Sequence, residues 1–326
     1  MRYEPLATFL NAPYAEDLSA NHPQFVYLGI PYTTPYGDGW APGPCSNAPD
    51  VVRHATRTQE YDLLLDHYDF DCGTTVLKPG VSIVDGGDIA CGPIELNLAK
   101  REATAAVREI VEAGAIPLIV GGDDALPPIV AGGFEHTKIN ILHIDAHVDF
   151  RDEVCGISDG YSSPIRRLRE MPQVGQIVQV GLRGIGSARA QEVRDAIAAG
   201  NRLIRATELH TMGAQSVFDT LPNDFPWFVT IDCDGLDPSV APGVEWPEPD
   251  GVTYGEAATF VRGLAKEGRL AAIAFTEFAP EHDVRSLTAL AICRLLMNVI
   301  TLTPFASDEA EINRAAEYSV PGDVHV

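Results

Sequence analysis

The stretch NILHIDAHVDF, residues 140–150, joins a mostly apolar run to two aspartates and a histidine. A short run of this kind is typical of a strand that is buried on both faces of a sheet. Similar runs alternate with helical patterns along the chain, for example LAKREATAAVREIVEAG at 98–114. This alternation predicts a parallel sheet that is covered by helices on both faces. We therefore expect an α/β fold of three layers, α/β/α, with a mostly parallel central sheet.

The organisation of the chain favours one domain over residues 1–326, because the sequence shows no internal repeat, low-complexity segment or convincing linker. Residues 1–25 are interpreted as an N-terminal extension. Residues 303–326 are interpreted as a tail that either contacts another subunit or is frayed. Thr253 and Glu256 have the spacing of a capping box, which predicts a helix that begins there.

The composition limits the possible partners. The 326 residues include 46 acidic and 23 basic side chains, which give a formal net charge of −23. Such a surface repels nucleic acid and anionic membranes, so neither is an expected partner. It suits a cationic substrate or bound cations, although an acidic surface can equally serve solubility alone. The six cysteines form no C-x-x-C pair, and no apolar run reaches the roughly 20 residues of a membrane helix, so a cytoplasmic location is expected.

Four predicted strands end in polar residues that a single site could share. These residues are Asp123 and Asp124; Asp145, His147 and Asp149; Asp232, Asp234 and Asp237; and Thr276 and Glu277. Ligands of α/β sheets bind beyond the carboxyl ends of the strands. A lone Asp after a strand is usually a turn or helix cap. Two motifs of alternating ligand-type residues, each after a buried strand, instead favour divalent cations, which would relieve the repulsion between the acids. Mixed carboxylate and imidazole ligands suit Mn²⁺, Ni²⁺ or Fe²⁺ better than structural zinc.

Four segments together resemble the ureohydrolase family, which includes arginase and agmatinase. They are GGDDAL at 121–126, DAHVD at 145–149, TIDCDGLDPSVAPG at 230–243 and FTEFAP at 275–280. Weaker likeness extends from about residue 25 to about residue 300. The resemblance implies an arginase-like fold, two divalent metal ions (Mn²⁺ or Ni²⁺), a trimer or hexamer, and hydrolysis of a cationic guanidino compound, or a biguanide, to urea and an amine by metal-held hydroxide.

The same resemblance assigns roles to individual residues. The implied metal ligands are Asp124, Asp145, His147, Asp149, Asp232 and Asp234. Among them, Asp145 and Asp232 match ligands that bridge the two metals. Glu277 matches the carboxylate that binds the guanidinium group, and Asp149 matches the group that transfers protons. Asp149, His147 and Glu277 are thus the implied catalytic residues.

Three positions depart from the family pattern. Asp124 stands where the family has a histidine, so the ligand set holds five aspartates and one histidine, one negative charge more than two divalent cations supply. Asp159 stands near the position of a family histidine and is either a substrate anchor or an ordinary turn residue. Trp246, which follows the Ala-Pro-Gly motif, would stack on or exclude a flat cation.

Two further questions stay open at this point. His143 either donates a hydrogen bond to a metal ligand or is an ordinary core histidine. The protein is expected to be an amidinohydrolase, but the replacement at Asp124 also fits a non-catalytic subunit that supports a catalytic paralogue in a hetero-oligomer. Retention of the remaining acids favours the enzyme, because a site with no catalytic role has no reason to keep mutually repelling charges.

Overall fold

The computed structural model describes residues 1–36, 43–58, 65–92, 96–185 and 188–304. In this part of the chain the main sheet has nine strands, in the order β1-β5-β2-β6-β11-β10-β7-β8-β9. They are β1 (Arg2–Tyr3), β2 (Phe25–Ile30), β5 (Ile83–Ile89), β6 (Ile116–Gly121), β7 (Ile139–Ile144), β8 (Val174–Leu182), β9 (Arg202–Arg205), β10 (Trp227–Asp232) and β11 (Leu270–Thr276). A separate two-stranded sheet contains β3 (Tyr68–Asp69) and β4 (Thr74–Thr75). Only β1 runs antiparallel to its neighbour in the main sheet, so the sheet is mostly parallel, as predicted.

Helices cover this sheet. They are α1 (Ala48–Thr58), α2 (Leu96–Glu112), α3 (Leu126–Ala131), α4 (Pro164–Glu170), α5 (Ala190–Ala198), α6 (Ala206–Met212), α7 (Ala214–Phe218), α8 (Tyr254–Lys266) and α9 (Leu287–Leu302). The capping box at the start of α8 is confirmed, because the Thr253 hydroxyl accepts from Glu256 N and the Glu256 carboxylate accepts from Thr253 N. Among the described residues, no helix is long and apolar enough to cross a bilayer.

Two hydrophobic cores separate the layers, and strand β7 contributes to both. Leu142 and Ile144 pack in the core that contains α1, α8 and α9, whereas Ile139 and Ile141 pack in the core that contains α2, α3 and α4. Successive side chains of a strand point to opposite faces, so a strand with an apolar residue on each face must be covered twice. The predicted three-layer arrangement is therefore confirmed.

The order of the strands positions the polar residues. Strands β6, β11, β10 and β7 are consecutive neighbours in the middle of the sheet, and all four are parallel. The register pairs Asp232 with Thr276 and Ile231 with Ile144, so these strands end at nearly the same level. The sequence motifs that follow them consequently meet at one edge.

The N-terminal residues contribute to the fold. Strand β1 pairs with β5, and Phe9 is buried with its ring stacked on Tyr27 at a centroid distance of 4.7 Å. Most of the predicted C-terminal tail, from residue 305 onward, lies outside the described residues.

Candidate metal centre and adjoining cavity

The polar residues that follow the four central strands surround a cavity of about 310 Å³. We call the residues at its inner end the floor; they are Asp124, His143, Asp145, His147, Asp149, Asp232 and Asp234. We call the residues at its mouth the rim; they are Tyr161, Glu245, Trp246 and Glu248. Of the floor, the residues that line the cavity directly are Asp124, His147, Asp149 and Asp234, while the others are buried behind them. Glu277 also lines the cavity.

Two groups of floor residues are arranged like metal ligands. The first group is Asp124, His143 and Asp145, and the second is Asp145, His147 and Asp234. Within each group, one possible ligand atom from every residue lies within 4.8 Å of the others. The two groups share Asp145, which is the residue that the sequence resemblance marks as a bridging ligand. The floor therefore offers two adjacent positions for a cation.

The distances within the groups are short. The His143 Nε2 atom lies 3.4 Å from Asp124 Oδ2 and 3.2 Å from Asp145 Oδ2. In the second group, His147 Nδ1 lies 3.4 Å from Asp145 Oδ1 and 3.2 Å from Asp234 Oδ2.

The chemistry of the first group fits a divalent cation. Asp124 Oδ2, His143 Nε2 and Asp145 Oδ2 are all buried, and none of the three forms a hydrogen bond with acceptable geometry. Buried polar atoms without hydrogen bonds destabilise a fold unless another ligand satisfies them. Two carboxylate oxygens and an imidazole nitrogen that face one another are a typical donor set for Mn²⁺ or Ni²⁺.

Local backbone structure holds the ligand side chains in place. Asp145 Oδ1 accepts a hydrogen bond from His147 N at 2.7 Å, and Asp232 Oδ1 accepts one from Asp234 N at 2.8 Å. Each aspartate thus caps its own turn, which fixes the side chain immediately after the strand. A Cβ atom at Gly235 would lie 2.6 Å from Asp145 Cα, so only glycine allows the two ligand-bearing loops to approach this closely.

Burial and mutual repulsion shift the pKa values of the floor acids. Burial, followed by the charge of Asp234, raises the pKa of Asp232 well above its usual range, and burial with Asp145 does the same for Asp149. Burial would also raise the pKa of Asp145, but the two nearby imidazoles outweigh it and lower this pKa to about 2. Burial would lower the pKa of His147, but its contacts with Asp145 and Asp234 raise it to about 12. The floor is thus a buried site that favours added positive charge.

Glu277 is held beside the floor by a strained backbone. Its φ is +57°, in the left-handed region that non-glycine residues rarely adopt, and Asp149 shares this feature with a φ of +44°. The Glu277 Oε1 atom accepts a hydrogen bond from Asp124 N at 2.9 Å. Burial, and then the charge of Asp123, raise the pKa of Glu277 well above its usual range. A partly buried carboxylate that lines the cavity is well suited to bind a cationic group.

Comparison with known proteins decides the family. A model of the arginase family matches residues 23–301, which is most of the chain. The chain belongs to the arginase family. It is 26% identical to the mitochondrial agmatinase of Gallus gallus over 85% of this chain and 80% of that protein. It is 30% identical to guanidinopropionase of Pseudomonas aeruginosa over 92% of each chain. The solved structure of proclavaminate amidino hydrolase from Streptomyces clavuligerus superposes with a TM-score of 0.77 at 24% identity, covering 93% of this chain and 98% of that one.

Arginase-family enzymes use a binuclear metal centre, and the two ligand groups of the floor are consistent with one. The structure brings all six predicted ligands together, but Asp149 and Asp232 belong to neither three-residue group. Both are buried and within electrostatic range of the group members. Asp124 accepts a hydrogen bond from Thr276 Oγ1 at 2.7 Å and still reaches the first group despite its short side chain.

His143 is the floor residue whose role the sequence left undecided. Its ring is fully buried, Nε2 faces the two aspartates of the first group, and Nδ1 lies 3.4 Å from the Gln179 amide nitrogen. The Gln179 amide also donates to Val148 O at 3.0 Å, which fixes its orientation. His143 therefore contacts predicted metal ligands and is not a histidine of an apolar core. The strand alternation that places it on the same face as Asp145 was the available signal.

Besides Glu277, the sequence suggested Trp246 and Asp159 as substrate contacts, and the structure places these two residues differently. Trp246 lines the mouth of the cavity with 73% of its surface exposed. Asp159 is not among the described residues that line the cavity, and its carboxylate forms an ion pair with Lys100 on α2. Its predicted role as a substrate anchor therefore gains no support from these contacts.

Two residues of the cavity lining, Cys45 and Tyr161, were not predicted from the sequence. The Cys45 thiol lies 3.6 Å from Glu277 Oε2, and the Tyr161 ring packs edge-on against Tyr36 at a centroid distance of 4.7 Å. Both lie in loops, and neither belongs to a motif or to a periodic pattern from which a role could be predicted.

Arg183 connects the floor to the rim. Its guanidinium donates to the carbonyl oxygens of Asp234 at 2.7 Å and Gly235 at 3.0 Å, in the loop that bears a metal ligand. It also donates to the carbonyl oxygen of Glu248 at 2.8 Å. One partly buried side chain thus contacts both loops. Arg183 lies in the part of the chain with weaker likeness to the ureohydrolase family, and no role was predicted for it.

Proposed function

We propose that this protein hydrolyses a guanidino compound to urea and an amine, using two divalent cations, Mn²⁺ or Ni²⁺. The observation that carries the proposal is the pair of ligand groups that share Asp145, located directly below a cavity that also contains Glu277. Relatives named agmatinase and guanidinopropionase, which align over most of their length, support this reaction class.

The floor residues would hold the cations. Asp124, His143 and Asp145 would form one position, and Asp145, His147 and Asp234 would form the other. Asp149 and Asp232, whose charges interact with those of the group members, would complete the coordination. When bound, such cations supply Lewis acidity, which brings the pKa of a water molecule close to neutral.

Glu277 would bind and orient the guanidinium group. A carboxylate can accept two parallel hydrogen bonds from the flat guanidinium fork, which fixes the plane of the substrate as well as its position. The hydrogen bond from Asp124 N holds one Glu277 oxygen next to the floor. The guanidino carbon is thereby kept close to the floor, where hydrolysis requires it.

Asp149 would move the proton that the leaving amine needs. It lines the cavity and is 6% exposed, between the floor ligands and the space for substrate. A nitrogen leaving group departs readily only when it is protonated, so an acid within reach of both water and substrate is required. Trp246, at the mouth of the cavity, would contact the part of the substrate that is remote from the guanidinium.

The purified chain can be tested directly. Metal content would be measured after reconstitution with Mn²⁺ or Ni²⁺, and urea release would be measured on a panel of guanidino compounds. We expect two metals per chain and urea from at least one compound. The matched variants are Asp232→Asn, which should lose both properties, and Asp219→Asn, an exposed aspartate at the end of α7, which should keep both.

The same experiment separates the enzyme from a supporting subunit. Urea that appears only after a paralogous chain is added would overturn the proposal in favour of a non-catalytic partner in a hetero-oligomer. Native mass measurement of the same samples would test the expected trimer or hexamer.

A further inference from the structure

The charge of the cavity lining is strongly one-sided. Of the 18 described residues that line it, seven are Asp or Glu, one is His147, and none is Lys or Arg. Residues 37–42 and 186–187, which are adjacent in sequence to lining residues but lie outside the described part of the chain, include no lysine or arginine. A substrate therefore meets acidic groups at both ends of the cavity.

The acids of the inner end already have functions or partners. Asp124, Asp149 and Asp234 belong to the floor, and Glu277 is assigned to the guanidinium. The Asp123 carboxylate accepts hydrogen bonds from Ala125 N at 3.0 Å and from Thr34 N. The inner end is a ligand site on independent grounds, since Asp124 is 1% exposed and its Oδ2 atom has no hydrogen bond.

Glu245 and Glu248 at the rim have no such assignment. Among the described residues, no lysine, arginine or histidine forms an ion pair with either carboxylate. Lys100 pairs with Asp159, and Arg183, whose charge does interact with that of Glu248, donates its hydrogen bonds to backbone carbonyls. Neither cation lines the cavity, so a substrate carboxylate at the rim would meet two like charges without a lysine or arginine among the described lining residues.

The aromatic residues of the rim favour a cation as well. Trp246 lies in the sequence between the two glutamates and is 73% exposed, and Tyr161 also lines the mouth. An ammonium group over an indole face is attracted by the ring quadrupole, and neighbouring carboxylates add to this attraction. The face of the same indole repels a carboxylate, to which only the Nε1–H at the ring edge could donate a hydrogen bond.

We propose that the substrate carries a second positive charge at the end remote from its guanidinium, and that Glu245, Glu248 and Trp246 recognise this charge. The substrate is then an aminoalkylguanidine or a related dication, and guanidino carboxylic acids are disfavoured. This inference rests on the proposed function, because it assumes that Glu277 binds the guanidinium.

Three probes of equal chain length test the inference on the Mn²⁺-loaded full-length protein. They are 4-aminobutylguanidine, butylguanidine and 4-guanidinobutanoate, which are cationic, neutral and anionic at the remote end. We expect kcat/KM for urea release, and affinity by calorimetry, to fall in this order. The difference between the first and last probes should be about tenfold or more at low salt and should shrink as salt is added.

A charge-neutralising pair of substitutions locates the effect. The double variant Glu245→Gln/Glu248→Gln should raise KM for the amine probe and lower it for the carboxylate probe, while kcat changes little. The matched control Glu4→Gln/Glu112→Gln removes two exposed acids outside the cavity lining. It should leave the ratios of kcat/KM among the three probes unchanged.

The outcomes separate the two proposals. Tighter binding or faster turnover of the carboxylate probe, or a probe order that the rim variant does not alter, would overturn the inference and leave the hydrolase intact. Urea release from no compound would overturn the hydrolase, while the calorimetric order of the probes would still decide the charge preference. Absence of binding by all three probes would overturn the inference, and together with the absence of urea from every compound of the panel it would overturn both proposals.

Discussion

The floor and the rim of the cavity are held by different kinds of structure. Asp145 in the floor is completely buried and follows directly on a central strand, and it caps its own turn. Trp246 in the rim is 73% exposed and belongs to a loop outside any helix or strand. Positions fixed by a sheet are precise and tolerate little change, whereas loop positions vary without disturbing the core. We infer that the floor determines the reaction and the rim determines which compound enters it.

The largest effect is expected from Asp232→Asn in the floor. The variant should lose metal and retain less than about a thousandth of the urea-releasing activity, because the neutral amide is a poor ligand for a hard cation. At neutral pH the metal-free variant should nevertheless have a melting temperature a few degrees above that of the metal-free protein with Asp232. Burial and Asp234 raise the pKa of Asp232, so its ionised form destabilises the folded state above the usual carboxyl pKa. Metal analysis and thermal unfolding would check both; full activity would remove Asp232 from the site.

Glu277→Gln should cost about 100-fold in kcat/KM with unchanged metal content. Loss of one partner of a buried, hydrogen-bonded charge pair typically costs about 3 kcal/mol, which corresponds to this factor. Kinetics and metal analysis on the same sample would distinguish a role of Glu277 in substrate binding from a role in metal binding. A variant that lost its metals would show that Glu277 is part of the floor.

His143→Gln should weaken one metal position and spare the other. The first ligand group contains His143, whereas the second does not. We expect affinity to fall at least about 10- to 100-fold for one of the two metals, because a loss of this size is typical even of residues that only orient a ligand. Stepwise metal titration by calorimetry would resolve the two sites. Equal weakening of both would mean that His143 acts through the shared Asp145 instead.

Trp246→Ala should have the smallest effect, about a fivefold increase in KM with kcat retained. An exposed cation–π contact contributes about 1 kcal/mol, and the indole touches only the remote end of the substrate. Phe70→Ala is a suitable control, because Phe70 is 92% exposed and does not line the cavity. A decrease in kcat with unchanged KM would show that Trp246 affects the reaction step, and would contradict the assignment of substrate selection alone to the rim.

The sequence predicted that most residues of the floor would lie together, because the signals that position them are local. Apolar runs gave the four central strands, and alternation within DAHVD placed its ligand-type residues at the end of one of them. The rim was harder to predict, since loop conformation depends on contacts that are distant in sequence. Asp159 illustrates this, because its ion pair with Lys100 depends on where α2 lies relative to the loop. The closeness of His143 to Asp124 likewise depends on the order of the strands, which a single sequence does not reveal.

Arg183 has a thermodynamic consequence for the whole site. Because one guanidinium bonds to the backbone of Asp234 and to that of Glu248, a shift of either loop is transmitted to the other. Loading the cations and admitting the substrate are then linked equilibria, and each must tighten or loosen the other by the same factor. Loss of one ion would consequently change the affinity for substrate even in chains that still retain the other.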